Sequence, residues 1–253
     1  MRVGVISGHT IGSFTDNAQE IDVETPYGSV TLWYSKKNSR EVFFVNRHGK
    51  NADDPPHMIN YRAIIHALKV GGVDSVLSIG TVGSLNPSIK AGDFVIPHDF
   101  IDFTKSRNYT FYDNKRVHVD MSNPLCSSLR RSIVMACREL SQKCHEKGIY
   151  LATEGPRLET PAEIKMFSGF ADVVGMTLVP EAILAREKEM CYASLCLVCN
   201  MAAGLQSVLT AEEIAEVVAE KRPVLEKILI RAVEEINEDR NCTCRKALER
   251  AML

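Results

Sequence analysis

Ser75-Val76-Leu77-Ser78-Ile79-Gly80-Thr81-Val82-Gly83 is the stretch that decides the architecture. Ser75–Ile79 carries no charge and reads as a strand buried on both faces, the kind found inside a sheet covered by helices. The two glycines after it predict a strand end with accessible backbone N–H groups. Outward from this strand the same grammar repeats. Val3–Ile6 reads as a short strand running into a Gly/Ser/Thr loop, Ser7 to Ser13. Ile21–Glu24, Val30–Tyr34 and Glu41–Asn46 read as strands, with a turn at Pro26-Tyr27-Gly28. Asn60–Val70 has helical spacing, with Ile64, Ala67 and Leu68 on one face. Phe94–Ile96, Gly148–Thr153 and Cys191–Cys199 read as further strands, and a long amphipathic helix is predicted from Asn123-Pro124 to about Cys144. Thr210-Ala211-Glu212-Glu213 is a capping box opening a helix to about Asn237. Alternating strands and helices predict a three-layer α/β/α fold with a mixed central sheet and ligand loops at one sheet edge. There is no repeat, low-complexity stretch or linker, so residues 1–253 are expected to form a single domain.

The 253 residues are 45% hydrophobic and 25% charged, with a formal net charge of −2. No basic patch stands out, so nucleic acid is not an expected partner. No apolar run reaches the roughly 20 residues needed to span a bilayer. The first strand begins at Arg2, which leaves no room for a signal peptide, and the expected location is the cytoplasm. Of the eight cysteines, Cys126, Cys137, Cys191, Cys196 and Cys199 lie in apolar runs, where a thiol packs as a small core residue. Cys242-Thr243-Cys244 reads as two exposed or half-buried thiols, a redox pair or a disulfide. No second pair stands at metal-ligand spacing, which argues against zinc, and no metal is expected.

Two other segments carry chemistry. Glu154-Gly155-Pro156-Arg157-Leu158-Glu159-Thr160 and Val198-Cys199-Asn200-Met201-Ala202 each follow or end a strand. They bring the Glu159 carboxylate and the Asn200 amide to the ends of neighbouring elements. A carboxylate accepts two hydrogen bonds, and an amide donates and accepts at once. That pair complements a 6-oxopurine, whose N1–H and protonated N7 donate and whose O6 accepts. The loop Ser7-Gly8-His9-Thr10-Ile11-Gly12 offers backbone N–H groups, a hydroxyl and an imidazole for an anion, without the G-x-G-x-x-G dinucleotide signature. Arg47-His48-Gly49 suits an oxyanion, and Gly80-Thr81 and Thr177 add donors at two more strand ends. Each loop alone is unremarkable. Four donor-rich strand ends in one sheet predict a phosphate site.

From residue 2 to about 235 the chain resembles the purine nucleoside phosphorylase and methylthioadenosine phosphorylase family. The motifs that carry the likeness are the first glycine loop, Arg-His-Gly at 47–49, Gly-Thr-Val-Gly-Ser-Leu at 80–85, Glu154–Thr160, and Val174 to Glu187. The cysteine-bearing tail resembles archaeal members. The resemblance implies that His9 or Thr10, together with Arg47, His48, Gly80, Thr81 and Thr177, binds phosphate. It implies that Met176 packs on the ribose, that Leu158 sits beside the base with Met201 and Ala202 nearby, and that Glu159 and Asn200 read the purine. In the adenine-preferring branch these last two positions are usually Ser and Asp; Glu and Asn belong to the 6-oxopurine branch. Ala211 matches a position that is His in enzymes for ordinary ribonucleosides and apolar in the methylthio-specific branch, which points to a 5′-methylthio group. Read alone, Ala211 is simply a good helix-start residue. His118 matches a residue reaching the 5′ end from a neighbouring subunit, which implies a homotrimer or a dimer of trimers.

The expected activity is therefore reversible phosphorolysis of inosine, guanosine or 5′-methylthioinosine, as part of purine salvage. Phosphate is a co-substrate, and no cofactor is expected. A 5′-methylthioadenosine phosphorylase is the nearest rival; Glu159 opposes it by setting an acceptor against adenine N1. A nucleosidase using water and a non-catalytic nucleoside-binding protein are the others.

Overall fold

The computed structural model describes residues 1–206, 208 and 210–252. In chain order the elements are β1 (Arg2–Ser7), α1 (Gly12–Thr15), β2 (Gln19–Thr25), β3 (Gly28–Lys37), β4 (Arg40–Asn46), α2 (Tyr61–Val70), β5 (Ser75–Ser84), β6 (Phe94–Val95) and β7 (Asp99–Phe103). Then follow α3 (Ser127–Glu139), β8 (Cys144–His145), β9 (Ile149–Thr153), α4 (Pro161–Phe167), β10 (Val173–Gly175), α5 (Leu178–Glu187), β11 (Cys191–Met201), α6 (Ala211–Glu234) and a 3₁₀ turn at Cys244–Lys246. The strands form one mixed sheet in the order β2-β3-β4-β1-β5-β10-β9-β7, with a second branch from β5 through β11 to β6 and β8.

Period-two alternation divides the core between the two faces of the sheet. Ile6, Val45, Val76, Val82 and Val198 pack with α2 and α5. Val5, Phe44, Leu77, Ile79, Leu195 and Leu197 pack with α3 and α6. This is the three-layer α/β arrangement that the sequence predicts.

β5 is the branch point that makes the site. On one edge, β1 pairs in parallel with Ser75–Ser78, and β10 pairs antiparallel with Gly83 and Ser84. Ile79–Val82 lie between those pairings, where the cavity described below opens. The sequence reading ended this strand at Ile79. It runs on to Ser84 because β11 pairs along the other edge from Ser75 to Ser84. α3 is shorter than predicted. It starts at Ser127 and stops at Glu139, where Ser141 adopts a left-handed φ of 52° and β8 begins at Cys144. The capping box of α6 forms as its sequence implies: Thr210 Oγ1 accepts from Glu213 N at 3.1 Å, and Glu213 Oε2 accepts from Thr210 N at 3.3 Å. No helix of the described residues is long and apolar enough to cross a membrane.

Candidate active site

The ends of β1, β4, β10 and β11 and the second half of β5 converge on a cavity of about 220 Å³. It brings together His9, Arg47, His48, Gly80, Thr81, Leu158, Glu159, Met176, Thr177, Asn200 and Ala202. Parallel strand ends with short loops are the usual place for such a crevice in α/β sheets.

Arg47 follows β4 directly and is 2% exposed. Its Nε and Nη2 donate to Glu181 Oε1 and Oε2 at 2.7 and 3.2 Å. Its Nη1 donates to Ile79 O at 2.6 Å and its Nη2 to Ser78 Oγ at 2.8 Å. A guanidinium has five N–H donors. Four are used, leaving a single Nη1–H for a ligand. Glu181 is fully buried and also accepts from Tyr192 Oη at 2.7 Å and Ser78 Oγ at 3.0 Å. The bidentate partner of Arg47 is thus an internal carboxylate, and its contact with an anion is limited to one N–H.

His48 is half-buried and sits beside the first glycine loop. A Cβ on Gly8 would lie 3.0 Å from His48 Nε2, so this close approach needs a residue without one. His48 Nδ1 stands 2.6 Å from Asp54 O. A carbonyl only accepts, so Nδ1 carries the proton and neutral His48 presents the Nε2 lone pair. Burial and the Arg47 charge push the His48 pKa down. His9, at the cavity mouth, is also pushed down, first by burial and then by the Arg222, His48 and Arg47 charges. Both rings are therefore held toward their neutral forms. Thr81, on the open edge of β5, and Thr177, at the start of α5, add hydroxyls to the lining.

A β-bulge aims Asn200. The pairing of β11 with β5 shifts register between Val198 and Asn200, leaving Cys199 as the extra residue. Asn200 then stands opposite Gly83, where an added Cβ would be 3.1 Å from Asn200 Nδ2. Asn200 is 8% exposed, and its Nδ2 donates to Met201 O at 2.9 Å. An amide carries two N–H donors and one carbonyl. Among the described residues, one donor and one acceptor remain. Glu159 Oε1 accepts from Thr153 Oγ1 at 2.6 Å, which fixes one side of the carboxylate and leaves acceptor capacity on the other. Burial pushes the Cys199 thiol up to about 12, so this cavity wall is an uncharged thiol.

Met176 is held from two sides. Gly155, at a φ of +68°, packs so closely that a Cβ there would lie 2.5 Å from Met176 Sδ. Arg107, 7% exposed, donates to the carbonyls of Val179 at 2.6 Å, Glu154 at 2.7 Å and Thr153 at 3.2 Å, and also to Met176 O. This arginine ties the loop before Glu159 to the start of α5.

The sequence reading missed Arg107, Glu181 and Ile214. Glu181 is the only acid in the otherwise apolar run 178–185, and that lone charge is its signal. Ile214 lines the cavity from the first turn of α6. Ala211, expected there, is exposed at the first position of α6 and is not among the lining residues; Ile214, three residues on, takes that place. Thr10 is exposed in the first loop and also does not line the cavity, whereas His9 does. Met201 follows Asn200 along the strand, which directs it elsewhere, and its backbone N bonds Gln206 Oε1 at 2.9 Å. His118 lies away from the cavity, with its backbone N bonded to Ala251 O at 2.8 Å.

The family model described as Phosphorylase superfamily matches residues 2–234. A probable 6-oxopurine nucleoside phosphorylase of Dictyoglomus turgidum is 47% identical over 98% of this chain and 97% of its own length. A probable S-methyl-5′-thioinosine phosphorylase of Methanopyrus kandleri is 47% identical over 90% of this chain and 91% of its own. Among solved structures, methylthioadenosine phosphorylase from Schistosoma mansoni in complex with adenine superposes with a TM-score of 0.92 at 28% identity, covering 98% of this chain and 96% of that one.

Proposed function

Because the chain belongs to the Phosphorylase superfamily, we propose that it catalyses phosphorolysis of 6-oxopurine nucleosides to the free base and a ribose 1-phosphate. The names of its relatives support this reading, since both 6-oxopurine and methylthioinosine phosphorylases stand at 47% identity. The observation that carries it is the pair Glu159 and Asn200 in one cavity with Arg47. The free acceptor on Glu159 takes purine N1–H. The remaining N–H of Asn200 donates to O6, and its carbonyl accepts from N7–H.

The C1′–N9 bond loosens first, and C1′ gains oxocarbenium character. Electrons flow into the purine, and N7 takes a proton. Asn200 then holds the departing base more tightly than the substrate, which is differential binding of the transition state. Phosphate sits among His9, Arg47, His48, Gly80, Thr81 and Thr177. The single free Arg47 N–H attracts it, and the neutral His48 Nε2 accepts a hydrogen bond from the P–O–H group of monohydrogen phosphate. One of the phosphate's anionic oxygens attacks C1′ as the C1′–N9 bond breaks, and the proton that monohydrogen phosphate gives up is the one that solvent delivers to N7. No cofactor enters the reaction.

Met176 packs on the ribose and Leu158 beside the base. Ile214 supports an apolar 5′ wall, so 5′-methylthioinosine is a substrate alongside inosine and guanosine. The whole of residues 1–253 works as one domain, in the cytoplasm, in purine salvage. His118 does not line its own chain's cavity; in a homotrimer or dimer of trimers it would complete a neighbouring copy's 5′ end, as the family resemblance implies. The test is inosine cleavage with and without phosphate. Formation of ribose 1-phosphate only when phosphate is present is expected; equal hydrolysis to ribose without phosphate would identify a nucleosidase, and binding without turnover a nucleoside-binding protein.

A further inference from the structure

The C-terminal tail carries chemistry that phosphorolysis does not use. Cys126 caps the N-terminus of α3, Cys191 opens β11, and Cys242 and Cys244 lie in the tail. The four sulfurs all lie within 4.8 Å of one another. Cys191 Sγ and Cys242 Sγ are 3.4 Å apart. Three of the four residues are buried and Cys242 is half-buried. Zinc binds thiolates at about 2.3 Å, which sets the edges of a sulfur tetrahedron at about 3.8 Å. The observed cluster is close to that size. A tetrahedral four-sulfur set is the donor set of zinc among the divalent ions.

The frame around the cluster is braced. Cys126 N donates to Tyr192 O at 2.8 Å, and Cys191 N donates to Asp74 O at 2.9 Å. The Asp74 carboxylate accepts from Arg240 Nη2 at 3.1 Å and Arg245 Nη2 at 2.5 Å. Those two arginines bracket Cys242-Thr243-Cys244, so one acid fixes both ends of the motif. Charge agrees as well. Four thiolates and one zinc ion carry a net charge of −2. Arg130 lies close enough to act on Cys126, Arg186 on Cys244, and Arg240 on both Cys191 and Cys242. Among the described residues, the Nε atoms of Arg130 and Arg240 are buried donors with no partner. The Arg240 side chain is 1% exposed. Donors of this kind surround metal thiolates as their outer hydrogen-bonding shell.

We propose that Cys126, Cys191, Cys242 and Cys244 bind one zinc ion in a closed tetrathiolate site that pins the C-terminal tail to α3 and β11. With four protein ligands the site has no open position, so its role is structural rather than catalytic. The ligands come from three elements, which is why no second sequence-adjacent pair reveals them. The pinned tail in turn carries the partner of His118, whose backbone N bonds Ala251.

The test is metal analysis of the full chain purified under reducing, chelator-free conditions with zinc in the growth medium. One zinc per chain is expected, released by a thiol-specific mercurial as the four thiols titrate. Cobalt in its place is expected to give the absorption bands of a tetrahedral thiolate. Cys242→Ser and Cys244→Ser are each expected to lose the metal while keeping the circular dichroism of the fold. A wild-type chain that holds no zinc after equilibration with it would overturn the proposal, whether its four thiols remain free or its intact mass shows the hydrogens lost to disulfides. Retention of one zinc by both serine variants would overturn it too.

Discussion

Removing Arg47 separates two roles that the structure gives one side chain. In Arg47→Met, fully buried Glu181 keeps, among the described residues, only Tyr192 Oη at 2.7 Å and Ser78 Oγ at 3.0 Å as donors. Breaking a buried pair from one side costs about 3–5 kcal/mol, because the surviving charge stays buried. For a chain of this size that lowers the thermal midpoint by about 6–20 °C. The same variant loses the one Nη1–H available to phosphate. A hydrogen bond to a charged group is worth about 1.5–3 kcal/mol, so KM for phosphate rises about 10- to 150-fold. The second substitution, Glu181→Leu, removes the stranded charge. Arg47→Met/Glu181→Leu is expected to recover most of the lost stability, because apolar replacements of buried pairs are often neutral. It is not expected to recover phosphate affinity. The assay is denaturant unfolding of the wild type and both variants, beside phosphate saturation at fixed inosine. A single variant destabilised by less than about 1 kcal/mol would refute the buried pair. A double variant with wild-type phosphate KM would show that Arg47 only supports the fold.

Three further outcomes follow from the cavity. Asn200→Asp is expected to cut inosine phosphorolysis on the order of 10²-fold and to raise relative activity on adenosine, since an ionised Asp cannot donate to O6; an unchanged inosine to adenosine ratio in kcat/KM would remove Asn200 from base reading. Ile214→Asn is expected to weaken 5′-methylthioinosine relative to inosine by about 10- to 200-fold, whereas Ala211→His, at an exposed position outside the cavity, is expected to shift that ratio little in the isolated chain. The check is kcat/KM on both substrates for each variant. His9 and His48 have pKa values below the free imidazole value of about 6.5. Their neutral forms therefore contribute stability that is complete above pH ~6.5 and lost as pH falls through the folded values. Thermal midpoints in phosphate-free buffer are expected to fall between pH 7 and 5, and to fall less steeply in His9→Asn/His48→Asn; parallel slopes would show that other groups dominate.

Most strands were legible because each shows one clear pattern, although β7 and β8 were not read. Val3–Ile6, Glu41–Asn46 and Cys191–Cys199 are apolar runs bounded by polar turns, and all three lie in strands. α5 was not legible as a helix. Nearly all of Leu178–Glu187 is buried, so no polar face marks a helical period, and Val179 departs from helical geometry at φ −106° and ψ 129°. Its Glu181, the anchor of Arg47, was hidden with it. Glu159 and Asn200 were expected to meet at neighbouring strand ends, and both line the cavity. The bulge at Cys199 that turns Asn200 was not legible, since it depends on how β11 meets β5. The wall at α6 was expected at Ala211 and lies three residues on, at Ile214, because the sequence marks where the helix starts but not which residue of its first turn faces the crevice. The four cysteines illustrate the same limit. Their spacing of 126, 191, 242 and 244 says nothing of proximity, and only the folded tail joins them.

The most direct test of the central claim is kcat/KM with saturating phosphate for 5′-methylthioinosine against 5′-methylthioadenosine, two substrates that differ only at the purine edge facing Glu159 and Asn200. The account predicts that the 6-oxopurine is preferred on the order of 10²-fold or more, with 5-methylthioribose 1-phosphate as the sugar product. Equal rates, or a preference for the 6-aminopurine, would contradict it.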